Sequence, residues 1–260
     1  MIIKLAKQLS SAALLFAGAG FAFADTVNVT GQSASAIWQT WTTAQLNNSG
    51  TPFWNNLSWD GPNKNVGFCL AGAANCGMTA APGALPYVGQ ANGKAFSDFY
   101  FNSTGGTVTA TMQAQIAGDA QYDGLGWYNV SNPSQYGLLF SGVTAAGATT
   151  TFTPSTEYGL FFYNKASGIN DIFLSQSSSA LSNDQGYQHF AVFDGGAGNF
   201  YVGAEDLPSS HTDFDYNDML IEMQTQPASA APEPGPMALV GAGLIGMGMI
   251  FRRKRSAKNT

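Results

Sequence analysis

Oxygen-bearing side chains are concentrated in one segment near the end of the chain, from Tyr201 to Asp218. The adjacent acids Glu205 and Asp206 come first, and after a short loop Asp213, Asp215 and Asn217 follow at every second position. Calcium ions in proteins take about six to eight oxygen ligands, and a loop of this kind directs several side chains toward one point. The segment therefore predicts a Ca²⁺ site. The candidate ligands are Glu205, Asp206, Asp213, Asp215, Asn217 and Asp218.

Two other interpretations of this segment remain open from the sequence. Asp and Asn side chains accept backbone N–H bonds in Asx turns, so the run from Asp213 to Asp218 also fits a hairpin loop without a cation. The run is not an EF-hand, because Asp218 occupies the position where that loop requires glycine. The carboxylates of Glu205 and Asp218 are compatible with glycosidase acid–base chemistry, but roles as ligands or turn formers are the preferred interpretation.

The residues around the acidic segment are patterned as β-strands. Short runs rich in Val, Thr, Phe and Tyr alternate with turn signals such as Asp123-Gly124 and Asn132-Pro133. Apolar and polar residues alternate from Thr107 to Ile116, which predicts a strand with one buried face. The pattern predicts an all-β fold, a β-sandwich or jelly roll, over residues 25–226. The other predicted strands are Phe96–Phe101, Leu125–Val130, Thr149–Thr153, Tyr158–Tyr163, Tyr187–Phe193, Phe200–Ala204 and Asp218–Met223.

Three further features of residues 25–226 lead to predictions. Residues Ala36 to Leu46 fit either a helix or a strand. Cys69 and Cys76, the two cysteines of the chain, are expected to form a disulfide, because they flank a short Gly/Ala loop. Five tryptophans either fill the core or supply a platform for glycans, and the core is the preferred interpretation. They are Trp38, Trp41, Trp54, Trp59 and Trp127.

The charge of the chain is distributed unevenly. Charged residues make up 10% of the sequence, and seven of the ten basic residues lie in the two terminal segments. Between Asp25 and Pro232 there are three lysines, no arginine, twelve aspartates and three glutamates, which gives a net charge of −12. Binding to nucleic acid requires Lys and Arg to displace counterions from phosphates, so nucleic acid is not an expected partner. Metal cations and neutral glycans fit this charge better.

The first 24 residues have the pattern of a secretory signal peptide. Lys4 and Lys7 form a basic start, an apolar stretch follows, and Ala22-Phe23-Ala24 provides small residues at the two positions that signal peptidase reads. We therefore expect cleavage between Ala24 and Asp25. The apolar stretch is too short for a first transmembrane helix.

The last 34 residues are divided into three parts. Residues 227–236 form a proline-rich linker that contains Pro232, Glu233 and Pro234. Residues 237–251 are apolar and predict a short transmembrane helix. Residues 252–260 are basic, which places this tail in the cytoplasm and the domain outside. The residues that set this topology are Arg252, Arg253, Lys254 and Arg255.

This tail resembles the PEP-CTERM sorting signal of bacteria that produce exopolysaccharide. The resemblance depends on Pro232-Glu233-Pro234, the Gly- and Leu-rich span and the basic end. It implies that an exosortase, a membrane peptidase, handles the chain near this motif. The motif is followed by Gly235-Pro236 where Ser or Thr is often found, which leaves the position of the cut open.

A second resemblance covers Tyr187 to Met223. The run Gln188–Phe193, the pair Glu205-Asp206 and the run Asp213–Asp218 are similar to a segment of surface domains of the DUF4114 kind. This resemblance implies a surface or matrix protein and assigns no reaction. The sequence thus predicts a protein that is not an enzyme and is sorted to the envelope or to an exopolysaccharide or biofilm matrix, with a structural or adhesive role. A Ca²⁺-dependent glycan-binding module and a polysaccharide hydrolase are the alternatives.

Overall fold

The computed structural model describes residues 24–33, 64–78, 80–88, 90–91, 94–166 and 171–226. Two antiparallel β-sheets dominate these residues, which confirms the all-β prediction. The predicted signal peptide up to Phe23, the segment from Ala36 to Leu46 and everything from the proline-rich linker to the basic tail lie outside the described residues. Four of the five tryptophans, Trp38, Trp41, Trp54 and Trp59, lie outside them as well.

The larger sheet has seven strands. Its main order is β1-β3-β8-β5-β6, with β2 paired to β3 and β9 paired to β8. The strands are β1 (Thr26–Ser33), β2 (Gln90–Ala91), β3 (Lys94–Asn102), β5 (Asp123–Asn129), β6 (Tyr136–Ser141), β8 (Tyr158–Asn164) and β9 (Asp171–Leu174).

The smaller sheet has five strands in the order β10-β11-β12-β4-β7. They are β4 (Val108–Ala114), β7 (Thr149–Phe152), β10 (Phe190–Gly196), β11 (Asn199–Ala204) and β12 (Met219–Thr225). One short helix, α1 (Val66–Leu70), and two 3₁₀ turns (Ala74–Cys76 and Ala120–Tyr122) complete the regular structure of the described residues.

The two sheets share one hydrophobic core. The larger sheet contributes residues such as Phe101, Leu160 and Phe162, and the smaller sheet contributes residues such as Met112 and Ile221, all fully buried. Full burial of such a side chain stabilises the fold by about 1.5–3 kcal/mol. The core therefore fixes which face of each strand points inward.

A second cluster covers the opposite face of the smaller sheet. Helix α1 and the 3₁₀ turn after it pack Leu70, Cys69 and Cys76 against Phe193 and Leu220. Cys69 and Cys76 form a disulfide with Cα atoms 5.3 Å apart. This disulfide ties α1 to the 3₁₀ turn, and the first residue of α1, Val66, contacts the acidic segment through its N–H bond to the carbonyl of Asp215.

The alternating pattern of β4 agrees with its environment up to Met112. Val108, Ala110 and Met112 are fully buried in the shared core, as the alternation predicts. The register between β4 and β12 shifts between Leu220 and Ile221, and beyond it the prediction is wrong, since Ala114 lies in the second cluster and not in the shared core. Gln113, predicted on the solvated face, is 2% exposed and donates a hydrogen bond of 2.7 Å to Glu222 on β12. The strand predicted from Tyr187 begins instead at Phe190, since Gln188 folds back to accept from the N–H of Phe190 at 3.1 Å.

Candidate metal centre

The antiparallel pairing of β11 and β12 brings the two halves of the acidic segment together. Ala204 at the end of β11 pairs with Met219 at the start of β12. The pair Glu205-Asp206 therefore leaves the sheet beside Asp218. The backbone N–H of Asp206 donates to the Asp218 carboxylate at 2.8 Å. This bond joins the two ends of the loop that connects β11 and β12.

The backbone of the alternating run is held in an unusual conformation. Phe214 and Tyr216, the residues between the acids, have φ of 61° and 54°. Bulky residues adopt the left-handed region at a cost of about 1–3 kcal/mol and need support from their surroundings. Tyr216 is fully buried and donates from its hydroxyl to the carbonyl of Gln188 at 2.7 Å. This anchor holds Asp213 and Asp215 on the same side of the loop.

The loop is also braced by the residues at the start of α1. The N–H of Val66 donates to the carbonyl of Asp215 at 2.8 Å, and Nδ2 of Asn217 donates to the carbonyl of Lys64 at 2.8 Å. The same Nδ2 donates to Oδ2 of Asp215 at 2.7 Å. The backbone N–H of Asn217 donates to Oδ1 of Asp215 at 3.2 Å, which is an Asx turn. The turn-forming role of Asp215 is therefore present alongside any role as a ligand.

Two overlapping groups of carboxylates result from this arrangement. The first is Glu205, Asp213 and Asp215, and the second is Glu205, Asp206 and Asp218. In each group, one ligand atom from every residue lies within 4.8 Å of the others. Either group can hold a metal ion, and Glu205 belongs to both.

Among the described residues Glu205 takes part in no ion pair, and its Oε1 accepts a long hydrogen bond of 3.4 Å from the N–H of Leu207. Glu205 is fully buried, and within the described part of the chain its Oε2 has no hydrogen-bond partner. A buried ionised carboxylate without a partner is strongly unfavourable. The position is therefore suited to a cation that binds Oε2 directly.

Burial and the neighbouring acids raise the pKa of the buried carboxyl groups. Desolvation followed by repulsion from other acids raises the pKa of Glu205 and of Asp218 well above the usual range. Desolvation and the charge of Asp119 raise the pKa of Asp206 to about 7. At neutral pH such groups either keep protons or require a bound cation. Carboxylate oxygens are hard donors, so the cations that fit best are Ca²⁺ and similar oxygen-preferring ions.

The two histidines of the chain have different environments. His189 is fully buried, stacks on Phe173 with ring centroids 3.6 Å apart, and lies 3.2 Å from the Asp184 carboxylate. Its Nδ1 lies 3.2 Å from the carbonyl of Glu205, so the ring supports the backbone of the acidic loop. His211 is exposed, and its Nδ1 contacts the hydroxyl of Ser210 at 2.8 Å.

Asp123 was not predicted as a site residue. The dipeptide Asp123-Gly124 is a turn signal in the sequence, whereas Asp123 begins β5 in the larger sheet. Burial and the charge of Asp206 raise the pKa of Asp123 to about 9. Asn164 of β8, which pairs with Asp123, donates from Nδ2 to the Asp206 carboxylate at 3.4 Å. Asp123 and Asp206 are far apart in the sequence, and no local pattern relates them.

Asp25, the expected first residue of the processed chain, is 3% exposed and belongs to the folded domain. Its carboxylate accepts from the N–H of Thr104 at 2.7 Å and from the hydroxyl of Tyr158 at 3.2 Å. Its own N–H donates to the hydroxyl of Thr225 at 3.1 Å. Trp127 packs against the core and stacks on Phe152 with ring centroids 5.3 Å apart.

Comparisons with protein-family models, with curated proteins and with solved structures found no match for this chain. Within the described ranges, no helix has the length and apolar character needed to cross a bilayer. The predicted span 237–251, the Pro232-Glu233-Pro234 motif and the basic residues from Arg252 to Arg255 lie outside those ranges.

Proposed function

We propose that this chain is an exported surface or extracellular-matrix protein whose β-sandwich domain, of the jelly-roll type, binds Ca²⁺ and has a structural or adhesive role. The observation that carries the proposal is the environment of Glu205. Its Oε2 is buried without a hydrogen-bond partner among the described residues, and Glu205 belongs to both groups of carboxylates. Divalent cations resolve this imbalance, because they neutralise several carboxylates at one point.

Thermal unfolding in Ca²⁺ and in chelator tests this proposal. We expect Ca²⁺ to raise the melting temperature of the wild-type protein, and the Asp213→Ala and Asp215→Ala variants to lose most of that increase. Asp194→Ala is the matched control, because Asp194 lies in the exposed β10–β11 hairpin, away from the cluster. A wild-type melting temperature that is the same in Ca²⁺ and in chelator would refute Ca²⁺ binding.

The same geometry supports a non-enzymatic role. Glu205 and Asp218, the pair considered for glycoside hydrolysis, are 0% and 7% exposed. Glycosidases place their two carboxyl groups on either side of a bond that must enter the site, and these two are buried within the acidic cluster. We expect no release of reducing sugar from matrix glycans. Release that disappears in Glu205→Gln would establish the hydrolase alternative.

A second candidate function, glycan binding, is favoured by the outer face of the larger sheet. Leu160 and Phe162 of β8 point into the core, so Phe161 and Tyr163 lie on the opposite face. Their rings are nearly parallel, with an angle of 18° and centroids 6.5 Å apart. Tyr136, 67% exposed, packs edge-on against Phe161 with centroids 6.0 Å apart. Exposed aromatic rings of this kind are suited to stacking against sugar rings.

Glycines of β5 allow these rings to lie flat on the sheet. A Cβ atom at Gly126 would lie 2.3 Å from the ring of Phe161, and one at Gly124 would lie 2.4 Å from the ring of Tyr163. A polysaccharide pulldown with and without Ca²⁺ tests this function. We expect Tyr136→Ala to reduce retention and Leu181→Ala, an exposed apolar residue elsewhere, to leave it unchanged. Equal retention by both variants would exclude the aromatic face as the binding surface.

Export and sorting are proposed from the two ends of the chain. Signal peptidase removes residues 1–24, and an exosortase processes the chain near Pro232-Glu233-Pro234 after transient anchoring in the inner membrane by residues 237–251. Removal of both ends discards seven of the ten basic residues, so the released product is strongly acidic. In cells lacking the exosortase, we expect the protein to remain in the membrane fraction. Unchanged release in those cells would rule out this route.

A further inference from the structure

The bond at which signal peptidase is expected to cut, between Ala24 and Asp25, lies within the folded domain. Asp25 is buried, and its N–H, which belongs to the bond to be cut, donates to the hydroxyl of Thr225 at 3.1 Å. Ala24 lies against Gly198, because a Cβ atom added at Gly198 would lie 2.4 Å from the Cβ of Ala24. The chain on both sides of this bond is therefore packed against the β10–β11 turn and the end of β12.

The side chain of Asp25 holds the same point of the chain from within the domain. Its carboxylate accepts from the N–H of Thr104 at 2.7 Å and from the hydroxyl of Thr104 at 2.9 Å. It also accepts from the hydroxyl of Tyr158, a fully buried residue of β8, at 3.2 Å. Thr26, the next residue, begins β1 and pairs with Asn102 of β3. Withdrawal of Asp25 from the domain therefore breaks contacts with the β3–β4 loop and with β8 as well as with β12.

A peptidase reaches a bond in this position only after the chain has been withdrawn from the fold. Proteolysis takes place at exposed backbone, and a protected bond is cut only in the fraction of molecules that have opened. We infer that the folded domain, through the contacts of Asp25, closes the Ala24–Asp25 bond to signal peptidase. Removal of residues 1–24 therefore comes before β1 pairs with β3. This inference rests on the proposed export and adds the order of cleavage and folding to it.

The cleavage also prepares the group that the fold then encloses. Hydrolysis adds one water across the bond, which leaves a carboxylate on Ala24 and an amino group on Asp25. That amino group keeps Thr225 as its acceptor. Thr225 is the last residue of β12, and the predicted proline-rich linker begins two residues later. The bond between Asp25 and Thr225 thus ties together the two ends of the domain, which are 200 residues apart in the chain.

Cleavage of the full-length chain by purified signal peptidase in detergent micelles tests this order, and mass spectrometry identifies the bond that is cut. The reference is an unfolded full-length variant, Leu160→Asp with Phe162→Asp, which places two charges at fully buried core positions. We expect the folded wild type to be cut between Ala24 and Asp25 at least about thirtyfold more slowly than this variant. That factor corresponds to about 2 kcal/mol, the lower limit for loss of the four hydrogen bonds of Asp25 named above.

Substitutions far from the bond in sequence separate the effect of the fold from the sequence preference of the peptidase. Thr225→Val removes the acceptor of the Asp25 N–H, and Tyr158→Phe removes one donor to the Asp25 carboxylate. Each should speed cleavage of the folded chain about fivefold, which corresponds to about 1 kcal/mol for one hydrogen bond. Thr151→Val, at an exposed position of β7, is the matched control and should leave the rate unchanged.

The outcomes separate this inference from the proposed export. Equal rates for the folded wild type and the unfolded variant would overturn the inference and leave the signal peptide standing. A rate in Thr225→Val and in Tyr158→Phe equal to that of the wild type would also overturn it, because the contacts of Asp25 would then not protect the bond. Absence of cleavage between Ala24 and Asp25 in the unfolded variant would end both. Circular dichroism before the peptidase is added establishes which chains are folded.

Discussion

The Glu205→Gln variant tests the electrostatic argument most directly, because it should change stability in opposite directions with and without Ca²⁺. Glutamine keeps the shape of the side chain and removes its charge. In chelator, the wild-type protein buries Oε2 of Glu205 without a partner among the described residues and beside other acids. An amide at this position can donate to the neighbouring carboxylates. We therefore expect the variant to be more stable than the wild type in chelator.

The magnitude in chelator follows from the cost of an unsatisfied buried polar group, which is about 1–3 kcal/mol and larger for a charge. In a domain of this size, 1 kcal/mol changes the melting temperature by roughly 2–4 °C. The variant should therefore melt roughly 2–12 °C above the wild type when no Ca²⁺ is present. Glu205 contributes to both groups of carboxylates, so the substitution relieves repulsion in each of them.

The order of stability should reverse in Ca²⁺. A ligand at 100 times its dissociation constant stabilises the folded state by about 2.7 kcal/mol for each site. The wild type gains this stabilisation, and the variant loses most of it because the residue common to both groups can no longer neutralise a cation. At a saturating Ca²⁺ concentration, the wild type should then melt above the variant.

Differential scanning calorimetry at neutral pH, in excess chelator and in a Ca²⁺ series, measures both effects. Glu222→Gln is the matched control. Glu222 accepts hydrogen bonds from Gln113 at 2.7 Å and from Asn199 at 2.8 Å, so its charge is satisfied outside the cluster. Its substitution should lower stability by about 0.5–1.5 kcal/mol, equally in both conditions. A Glu205→Gln variant that is less stable than the wild type in chelator would refute the argument.

Three further predictions concern other parts of the structure. In chelator, the free energy of unfolding should fall as the pH rises from about 5 to about 8. The pKa values of Asp206 and Asp123 are raised to about 7 and about 9 in the folded protein, from about 3.9 in the unfolded chain. The folded state therefore binds more protons than the unfolded state over this pH range, and it loses that advantage as the pH rises. Urea unfolding measures this slope, and a rise with pH would contradict it. Asp25→Ala should lower the free energy of unfolding by about 1–3 kcal/mol, because Thr104 and Tyr158 lose their hydrogen-bond acceptor. A change within about 0.5 kcal/mol is typical of a surface position, and it would contradict a structural role for the buried Asp25 carboxylate. Replacement of Cys69 and Cys76 together by Ser should lower the free energy of unfolding by about 2–3 kcal/mol. It should also weaken Ca²⁺ binding in titration calorimetry, because α1 and Lys64 brace the acidic loop through backbone and side-chain hydrogen bonds. An unchanged affinity for Ca²⁺ would show that this brace is not needed.

Local pattern was enough to predict most of the strands. The alternation in β4 and the apolar runs of β8 and β11 identify these strands, because burial on one face of a sheet leaves a period of two in the sequence. Four strands were not predicted. Strand β6 has consecutive apolar residues without alternation, and β2 and β9 have two and four residues, too few to show a period. Strand β1 (Thr26–Ser33) is mostly polar, with apolar side chains at Val27 and Val29 alone.

The positions of the acids in the sequence predicted a candidate site, but they did not predict every acid whose charge acts on it. Glu205, Asp206 and the run from Asp213 to Asp218 are close in sequence, and a turn between neighbouring strands brings them together. Asp123 belongs to the other sheet, and only the packing of the two sheets brings it close enough for the charge of Asp206 to raise its pKa. Long-range contacts of this kind leave no periodic signal in the sequence.

The sequence by itself determined the all-β class, the acidic charge of the exported region and the residue types offered to a cation. These properties follow from composition and from local periodicity, which are read without knowledge of the fold. The tertiary structure alone decided which carboxyl groups are buried, that Glu205 is common to two groups, and that the charge of Asp206 raises the pKa of Asp123. The physical reason is that desolvation and charge repulsion depend on distance and burial in three dimensions, so the affinity of these side chains for protons or cations is a property of the folded protein.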